Sequence, residues 1–145
     1  MKKTKFTITG LSLNELYAKY GEGVKGFYSS WWRDEKFADE KPEAGIYEID
    51  FENTEKYINL IYQEQKNKLP KGFDFPHPAV LAEIILSNPN LGFLRNYWSR
   101  TSSVTANRNR VFVRSGSDGF YVDYYTDGNA YSLIGVSASR KVIKI

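Results

Sequence analysis

The chain has 145 residues, of which 41% are hydrophobic and 26% charged, and its formal net charge is +3. These values are typical of one soluble globular domain and exclude a fibrous or largely disordered chain. The absence of cysteine excludes disulfides, thiolate zinc sites and cysteine nucleophiles. We therefore expect a single domain over residues 1–145, with residues 1–96 as a scaffold of helices and strands and residues 97–145 as a β-meander.

The positive charge is concentrated toward the end of the chain. Residues 1–89 carry 12 Lys and Arg against 14 Asp and Glu, whereas residues 90–145 carry 8 against 3. A basic region favours nucleic acid or an acidic partner. The start of the chain lacks the apolar run of a signal peptide, and no segment has the length of a transmembrane helix. The sequence thus predicts a cytoplasmic protein without membrane contact, although a virus-encoded chain could join a virus particle without any signal.

The first elements are a strand and a well-capped helix. Residues 6–9 alternate in polarity and predict a strand. Ser12 and Glu15 have the spacing of a capping box, and Gly21 is placed to end the helix that they begin. The apolar stripe of this helix is expected to be buried: Leu13, Leu16, Tyr17 and Tyr20.

Residues 27–32 form the densest aromatic cluster of the chain. Such clusters serve more often in packing than as a platform for stacked bases, so we expect packing here. Residues 45–51 then alternate between apolar and acidic side chains and predict a strand. The two sides are Tyr47, Ile49 and Phe51 against Glu48 and Asp50.

Two more helices are predicted before the meander. The first is capped by Asn53 or Thr54 and broken by Pro70, with one apolar stripe: Tyr57, Ile58, Ile61, Tyr62 and Leu69. The second begins at Pro78 and ends at the Asn88-Pro89 step. Its apolar side chains are expected to lie against the sheet: Val80, Leu81, Ile84 and Ile85.

Residues 107–141 alternate short apolar strands with glycine-containing turns, which predicts a β-meander. The inward face is expected to consist of Val111, Val113, Phe120, Val122, Leu133, Ile134 and Val136. The remaining positions are rich in Tyr, Ser, Asp and Asn, the residue types of antibody paratopes, because Tyr gives a large rigid contact and Ser and Asn give adaptable hydrogen bonds. We predict a ligand-binding surface made of Asn107, Arg108, Ser115, Ser117, Asp118, Tyr121, Asp123, Tyr124, Tyr125, Asp127, Asn129, Tyr131 and Ser132.

A solvated hairpin without any partner has a similar composition. Turns require Gly, Asp and Asn for backbone reasons, and Tyr fits a half-buried pleat. Both interpretations of residues 107–141 remain open at this point.

The sequence offers little for catalysis or metal binding. His77 lies between two prolines with no identified nucleophile, which favours a capping or surface role over a general base. Residues 135–139 lack the second glycine of a nucleophile elbow, and no P-loop is present. Asp118, Asp123 and Asp127 do not have the spacing of an EF-hand loop. We therefore predict a non-enzyme without cofactor or metal.

Nucleic acid is the main alternative to a protein ligand. Five arginines lie near aromatic residues in the C-terminal third, a combination that suits single-stranded nucleic acid on a sheet. The arginines are Arg95, Arg100, Arg108, Arg110 and Arg114, and the aromatic residues are Tyr97, Trp98, Tyr121 and Tyr125. Three aspartates on the same hairpins would repel phosphate, which weakens this alternative.

Three segments of the C-terminal half belong together: the Tyr-Trp-Ser-Arg-Thr run of residues 97–101, the strands around Asp118 and Gly119, and the closing segment 133–141. They resemble the end of C-type-lectin-like domains, in particular the variable proteins of diversity-generating retroelements of bacteria, archaea and their phages. In such families an aromatic-aromatic-Ser-x-Thr strand opens the final lobe, and a Gly-Val or Gly-Phe strand ending in a basic residue closes the domain.

This resemblance implies an α+β fold of C-type-lectin-like architecture. A mixed or antiparallel sheet would carry two to three helices, and the first strand (6–9) would pair with the last (136–143). The resemblance also implies a binding scaffold whose exposed C-terminal positions are diversified by adenine-directed mutagenesis, which yields Tyr, Ser, Asp, Asn and Gly. Residues 1–90 fit the family only loosely. The Ca²⁺-ligating signatures and cysteines of sugar-binding lectins are absent, so carbohydrate binding is not implied.

We therefore expect a non-catalytic protein that binds a macromolecular ligand, in first place another protein, through residues 115–132. Trp98 is expected in the core rather than in contact with the ligand. The alternatives are a single-stranded nucleic-acid binder and a structural subunit of a virus particle. The sequence does not fix the oligomeric state.

Overall fold

The computed structural model describes residues 4–144, with side chains up to residue 142. Within this range the chain forms three α-helices, three short 3₁₀ helices and seven strands in two sheets, so the predicted α+β class is confirmed. Residues 1–3 and Ile145, which belong to the predicted domain 1–145, lie outside the described range. No helix within that range has both the length and the apolar character needed to span a membrane.

The two sheets have different strand orders. The strands are β1 (Thr4–Ile8), β2 (Gly45–Asp50), β3 (Trp98–Val104), β4 (Arg110–Gly116), β5 (Gly119–Tyr125), β6 (Ile134–Gly135) and β7 (Ala138–Lys144). One sheet has the order β1-β2-β7 and is antiparallel, and the other has the order β5-β4-β3-β6, in which only β3 and β6 are parallel. The helices are α1 (Leu13–Tyr20), α2 (Tyr62–Lys68) and α3 (Pro78–Ser87), and the 3₁₀ helices are Trp31–Asp34, Lys36–Asp39 and Thr54–Tyr57.

The first and last strands lie in one sheet but are not neighbours, so the predicted pairing between them is wrong. β2 lies between them, because Ile49 is opposite Thr4 on one side and opposite Ser139 on the other. β2 is buried on both faces, as Ile49 and Asp50 show, and such a strand belongs in the centre of a sheet.

The acidic side of β2, which carries Glu48 and Asp50, does not face water. Both side chains are buried. Glu48 forms an ion pair with Arg140 of β7, and Asp50 accepts hydrogen bonds of 3.0 Å from the amide of Asn53. Alternation in the sequence shows which residues share a side of a strand, but it does not show that a later segment covers that side.

The predicted helix after Asn53 is interrupted. The 3₁₀ helix Thr54–Tyr57 ends before Asn59, which adopts a left-handed conformation with φ of 61°, and α2 begins only at Tyr62. The amide of Asn59 donates to the carbonyl of Tyr131 (2.8 Å), and the amide of Tyr62 donates to the carbonyl of Asp127 (3.1 Å). Contacts with a distant loop thus replace the hydrogen bonds of a continuous helix.

The remaining helices follow their sequence signals. The Ser12–Glu15 capping box of α1 is formed. α3 begins at Pro78, and all four of its predicted core residues are buried. It contacts α1 and β1 as well as β3, β4 and β5, so it connects the two sheets through one core. α3 is therefore the common support of both sheets.

The prediction that Leu133 faces inward in the meander is wrong. Its side chain is exposed, because β6 consists only of Ile134 and Gly135 and Leu133 lies in the preceding turn. The other six are buried: Val111, Val113, Phe120, Val122, Ile134 and Val136.

Candidate ligand-binding face

The outer side of the four-stranded sheet carries a continuous row of aromatic rings. Across β4 and β5, Arg110 is opposite Tyr125 and Arg114 is opposite Tyr121, which places these side chains on one side of the sheet. Neighbouring rings on this side contact one another with centroid separations between 4.3 and 6.3 Å. We call this surface the aromatic face; in order its rings are Tyr28, Tyr121, Trp98, Phe112, Tyr125 and Tyr131.

Two rings of the aromatic face, one toward each end of the row, are more exposed than its middle. Tyr28 is 54% exposed and Tyr125 is 53% exposed, whereas Phe112 is buried. Tyr121 and Trp98 are half-buried between them. Trp98 is therefore part of the row rather than of the core between the sheets, where the sequence placed it. The tyrosines thus offer solvent-facing ring surface while the middle of the row holds them in position.

Tyr28 was missed by the sequence analysis because it comes from the N-terminal aromatic cluster. That cluster divides: Phe27 and Trp32 are buried, as predicted for packing, but Tyr28 and Trp31 are exposed. The Tyr28 ring stacks on Tyr121 with a centroid separation of 4.3 Å and an interplanar angle of 21°. No periodic pattern within residues 27–32 could have separated the two pairs.

The backbone around Tyr28 is bonded to the outer edge of β5. The amide of Phe120 donates to the carbonyl of Gly26 (2.8 Å), and the amide of Tyr28 donates to the carbonyl of Phe120 (2.9 Å). This approach requires Gly119, which has φ of +130°, because a Cβ there would lie 2.6 Å from the carbonyl oxygen of Gly23. Two hydrogen bonds and one glycine therefore fix the position of Tyr28.

Tyr124 does not lie on the aromatic face, contrary to the prediction. Successive side chains of a strand point to opposite sides, so Tyr124 leaves the side that Asp123 and Tyr125 share. Its ring lies 5.0 Å from that of Trp31, and the indole nitrogen of Trp31 donates to the carbonyl of Val122 (2.8 Å). The exposed Asp123 stays on the aromatic side, where its carboxylate accepts a hydrogen bond from the backbone amide of Tyr124.

Arg114 lies at the centre of the aromatic face. Its guanidinium carbon is 5.3 Å from the ring centroid of Trp98 and 5.0 Å from that of Tyr121, and Nη1 donates to the carbonyl of Arg95 (3.1 Å). Within residues 4–144 this cation forms no salt bridge. The Tyr121 hydroxyl donates to Asp118 (3.3 Å), and burial together with this carboxylate raises the pKa of Tyr121. The face thus presents hydroxyl donors around a fixed positive charge.

The loop 126–132 is held against the sheet by two arginines that the sequence assigned to nucleic acid. Arg110 donates from Nε and Nη2 to the two carboxylate oxygens of Asp127, both at 3.1 Å, and stacks on the ring of Tyr62. Asp127 is therefore an internal partner and not a free contact residue. The side-chain amide of Asn129 donates to the hydroxyl of Tyr131 (2.9 Å), which orients the last ring of the face.

Arg100 is not available to a ligand, because it is only 1% exposed. Its guanidinium donates to the carbonyls of Leu60 (2.9 Å) and Asn129 (2.6 Å) and to Oε1 of Gln65 (2.8 Å). Burial lowers the pKa of Arg100 because it disfavours the charged form. The negative charge of Asp127 acts in the opposite direction and raises this pKa. This buried cation therefore joins the loop 126–132 to the segment before α2.

Ser115 and Ser117 lie away from the aromatic face. Ser115 is opposite Phe120, whose side chain is in the core, so Ser115 shares the core side of the sheet. Both serines line a groove of about 570 Å³ between the β4–β5 hairpin and the end of α3. The remaining predicted residues are exposed in turns: Asn107 and Arg108 between β3 and β4, and Ser132 before β6.

The three aspartates of the meander have separate partners. Asp118 accepts from Tyr121, Asp123 from a backbone amide, and Asp127 from Arg110. In the part of the chain that the structure describes, no group of three or more His, Cys, Asp or Glu side chains is placed to hold a metal ion.

The single histidine has a structural role. Nδ1 of His77 accepts a hydrogen bond from the amide of Ala79 (3.0 Å) and caps α3, which is one of the two roles predicted for it. Burial lowers the pKa of His77 to about 4, so the ring is neutral at physiological pH.

Comparisons of this chain with protein-family models, with curated proteins and with solved structures found no match. The geometry of its surfaces is therefore what points to a function.

Proposed function

We propose that this chain is a non-catalytic protein that binds a macromolecular ligand, in first place another protein, through the aromatic face. The observation that carries the proposal is the continuous row of rings, exposed at Tyr28 and Tyr125 and centred on Arg114, a cation without a salt bridge within residues 4–144. Tyrosine, tryptophan and arginine are the residues that most often dominate binding at protein interfaces.

The face is also well ordered before any ligand arrives. Hydrogen bonds to β5 hold Tyr28, and the Arg110–Asp127 pair and Arg100 hold the loop that carries Tyr131. Side chains that are fixed in advance lose less conformational entropy on binding, so more of the contact energy appears as affinity.

The test compares two neighbouring tyrosines of β5. Tyr125 and Tyr124 are similarly exposed, at 53% and 42%, but lie on opposite sides of the strand. The immobilised protein is incubated with lysate of its source, and the retained partner is then titrated against each variant. We expect Tyr125→Ala to weaken binding by tenfold or more, roughly the effect of losing a hot-spot tyrosine, and Tyr124→Ala to bind as the wild type. Equal losses in both variants, or a loss of folding in Tyr125→Ala, would contradict this assignment.

Nucleic acid remains the competing ligand, and a salt titration separates the two. A ligand held through phosphates binds much more weakly as salt is added, whereas an interface anchored by tyrosine changes little. Because Arg100 is buried and Arg110 is paired with Asp127, two of the five candidate arginines are not free for phosphate. We expect a single-stranded oligothymidine to bind weakly and without dependence on Tyr125. Tight binding that collapses with salt would favour the nucleic-acid function.

We also propose that the protein is a variable protein of a diversity-generating retroelement with a C-type-lectin-like fold. In support, the outward positions Tyr121, Asp123 and Tyr125 alternate with buried Phe120 and Val122. The test is the flanking DNA, where we expect a near-copy of the segment encoding residues 107–141 that differs at adenines, next to a reverse transcriptase. Absence of both from the complete source genome would overturn this part of the proposal.

The virus-particle alternative makes a different prediction. A structural subunit associates with itself, so its elution volume in size-exclusion chromatography shifts with protein concentration. A protein that only displays the aromatic face elutes independently of concentration.

A further inference from the structure

The groove beside the aromatic face has an apolar floor. Its volume is about 570 Å³, within the range of small-molecule sites, and it lies between α3, the loop 20–26 and the β4–β5 hairpin. Six apolar or aromatic side chains line it: Tyr20, Val24, Ile85, Leu86, Pro89 and Phe120. Val24 is the most exposed of them, at 72%.

The walls of the groove are fixed by backbone contacts. Within the loop 20–26, the amide of Gly26 donates to the carbonyl of Gly23 (3.0 Å), and the next amide donates to the carbonyl of Gly21 (2.8 Å). This loop is pressed against the hairpin at Gly119, where a Cβ would contact the carbonyl of Gly26 at 2.9 Å. These contacts therefore hold two walls of the groove in place in the absence of a ligand.

The charge around the groove has one sign. Lys25 and Arg95 line it, and no Asp or Glu is among the lining residues of the described chain. Neither cation forms a salt bridge within residues 4–144, although Arg95 donates to the carbonyl of Pro89 (3.1 Å). The serines at positions 115 and 117 supply neutral hydroxyl groups on the hairpin side. An apolar floor with two cations and no acid is complementary to an amphipathic anion.

We propose that this groove binds a small amphipathic carboxylate. Its apolar body lies on Val24, Ile85 and Leu86, and its carboxylate faces Lys25 and Arg95. Most of the apolar surface removed from water belongs to the exposed Val24, because Ile85 and Leu86 are already largely buried, and the cations gain charge-assisted hydrogen bonds. This site is separate from the aromatic face, so it does not rest on the function proposed above.

The test uses octanoate as the probe and two matched molecules as controls. Acetate carries the same carboxylate without the apolar body, and octan-1-ol has the apolar body without the charge. Methyl resonances of Val24, Ile85 and Leu86 are followed by NMR during each titration. We expect saturable shifts with octanoate and at least several-fold weaker binding of both controls. Equal binding of octan-1-ol would overturn the role of the cations, and no saturation with octanoate would overturn the site.

Substitutions at exposed positions refine this test without disturbing the core. Lys25→Gln should weaken octanoate binding roughly three- to tenfold, the range expected for one exposed to partly buried charge-assisted contact. Val24→Asp adds an acid to the groove and should weaken it further. Lys71→Gln, an exposed lysine outside the groove, is the control and should bind as the wild type. Lys25→Gln binding as tightly as Lys71→Gln would contradict the proposal. Tyr125→Ala should leave octanoate binding unchanged, which separates failure of this site from failure of the aromatic face.

Discussion

The outer sides of the two sheets differ in how far their polar and aromatic groups are covered. On the three-stranded sheet, Glu48 is paired with Arg140 and Asp50 accepts from Asn53, so the polar groups of β2 are buried and partnered inside the molecule. On the four-stranded sheet, the aromatic face stays open and Arg114 forms no salt bridge within residues 4–144. Partnered charges also stabilise one part of the second sheet, at Arg100 and Arg110, but the aromatic face beside them keeps contact groups available. A ligand is therefore expected on the second sheet.

The largest effect should come from Arg100, which is buried under the loop 126–132. Arg100→Met removes three hydrogen bonds and leaves the amide oxygen of Gln65 and two carbonyls without their donor. Loss of a buried charged donor should lower the free energy of unfolding by about 3 to 5 kcal/mol. Urea unfolding measures the change, and the exposed Arg108→Met serves as the control with an expected change within about 0.5 kcal/mol. A similar loss in both variants would mean that Arg100 does not anchor the loop.

The next effect concerns α3, the support that both sheets share. The pKa of His77 is about 4 in the folded protein and about 6.5 when unfolded, so the unfolded state binds the proton first as pH falls. The contribution of His77 to stability should therefore be fully present above pH 6.5 and be lost between pH 6.5 and pH 4, by about 3 kcal/mol in all. Urea unfolding across this pH range measures it. His77→Asn keeps a capping side chain but does not titrate. The free energy of unfolding of this variant should therefore not show the decrease between pH 6.5 and pH 4 that comes from His77. An unchanged profile would assign the acid sensitivity to other groups.

The smallest changes in stability are expected from one arginine of each sheet, and they compare the two sheets most directly. Arg140→Gln removes the guanidinium from the buried Glu48 carboxylate and should cost about 2 kcal/mol. Arg114→Gln removes contacts with two rings and one hydrogen bond to the carbonyl of Arg95, and it should cost about 1 kcal/mol because no carboxylate depends on it. Thermal unfolding of the two variants in parallel gives the comparison. The reverse order would mean that Arg114 is a structural residue of the sheet.

Much of the fold could be predicted where the signal is local. The capping box of α1 and the apolar sequence of α3 each lie within a few neighbouring residues, and the alternation in β4 and β5 correctly placed Val113 and Val122 inside. The same alternation correctly placed Tyr121 and Tyr125 together. It also shows why Tyr124 and Ser115 could not join them, because their positions in the strands put them on the other side.

The parts that could not be predicted depend on contacts between distant segments. Tyr28 joins the aromatic face only because its backbone bonds to β5, more than ninety residues later in the chain. The interruption at Asn59 depends on the carbonyl of Tyr131. Arg100 was assigned to a surface because arginine is rarely fully buried, and nothing beside it in the sequence identifies Gln65 as its partner.

The Trp31 indole and the segment around Tyr28 also affect whether another chain can add to the outer edge of β5. An outermost strand with free amides and carbonyls is a template on which another chain can add, and strands rich in tyrosine are prone to such growth. Here Phe120 has both its backbone groups occupied, and the carbonyl of Val122 accepts from the indole. The tyrosines of β5 therefore lie on a strand whose outer edge is covered at Phe120 and at the carbonyl of Val122, which leaves less free backbone for another chain to pair with.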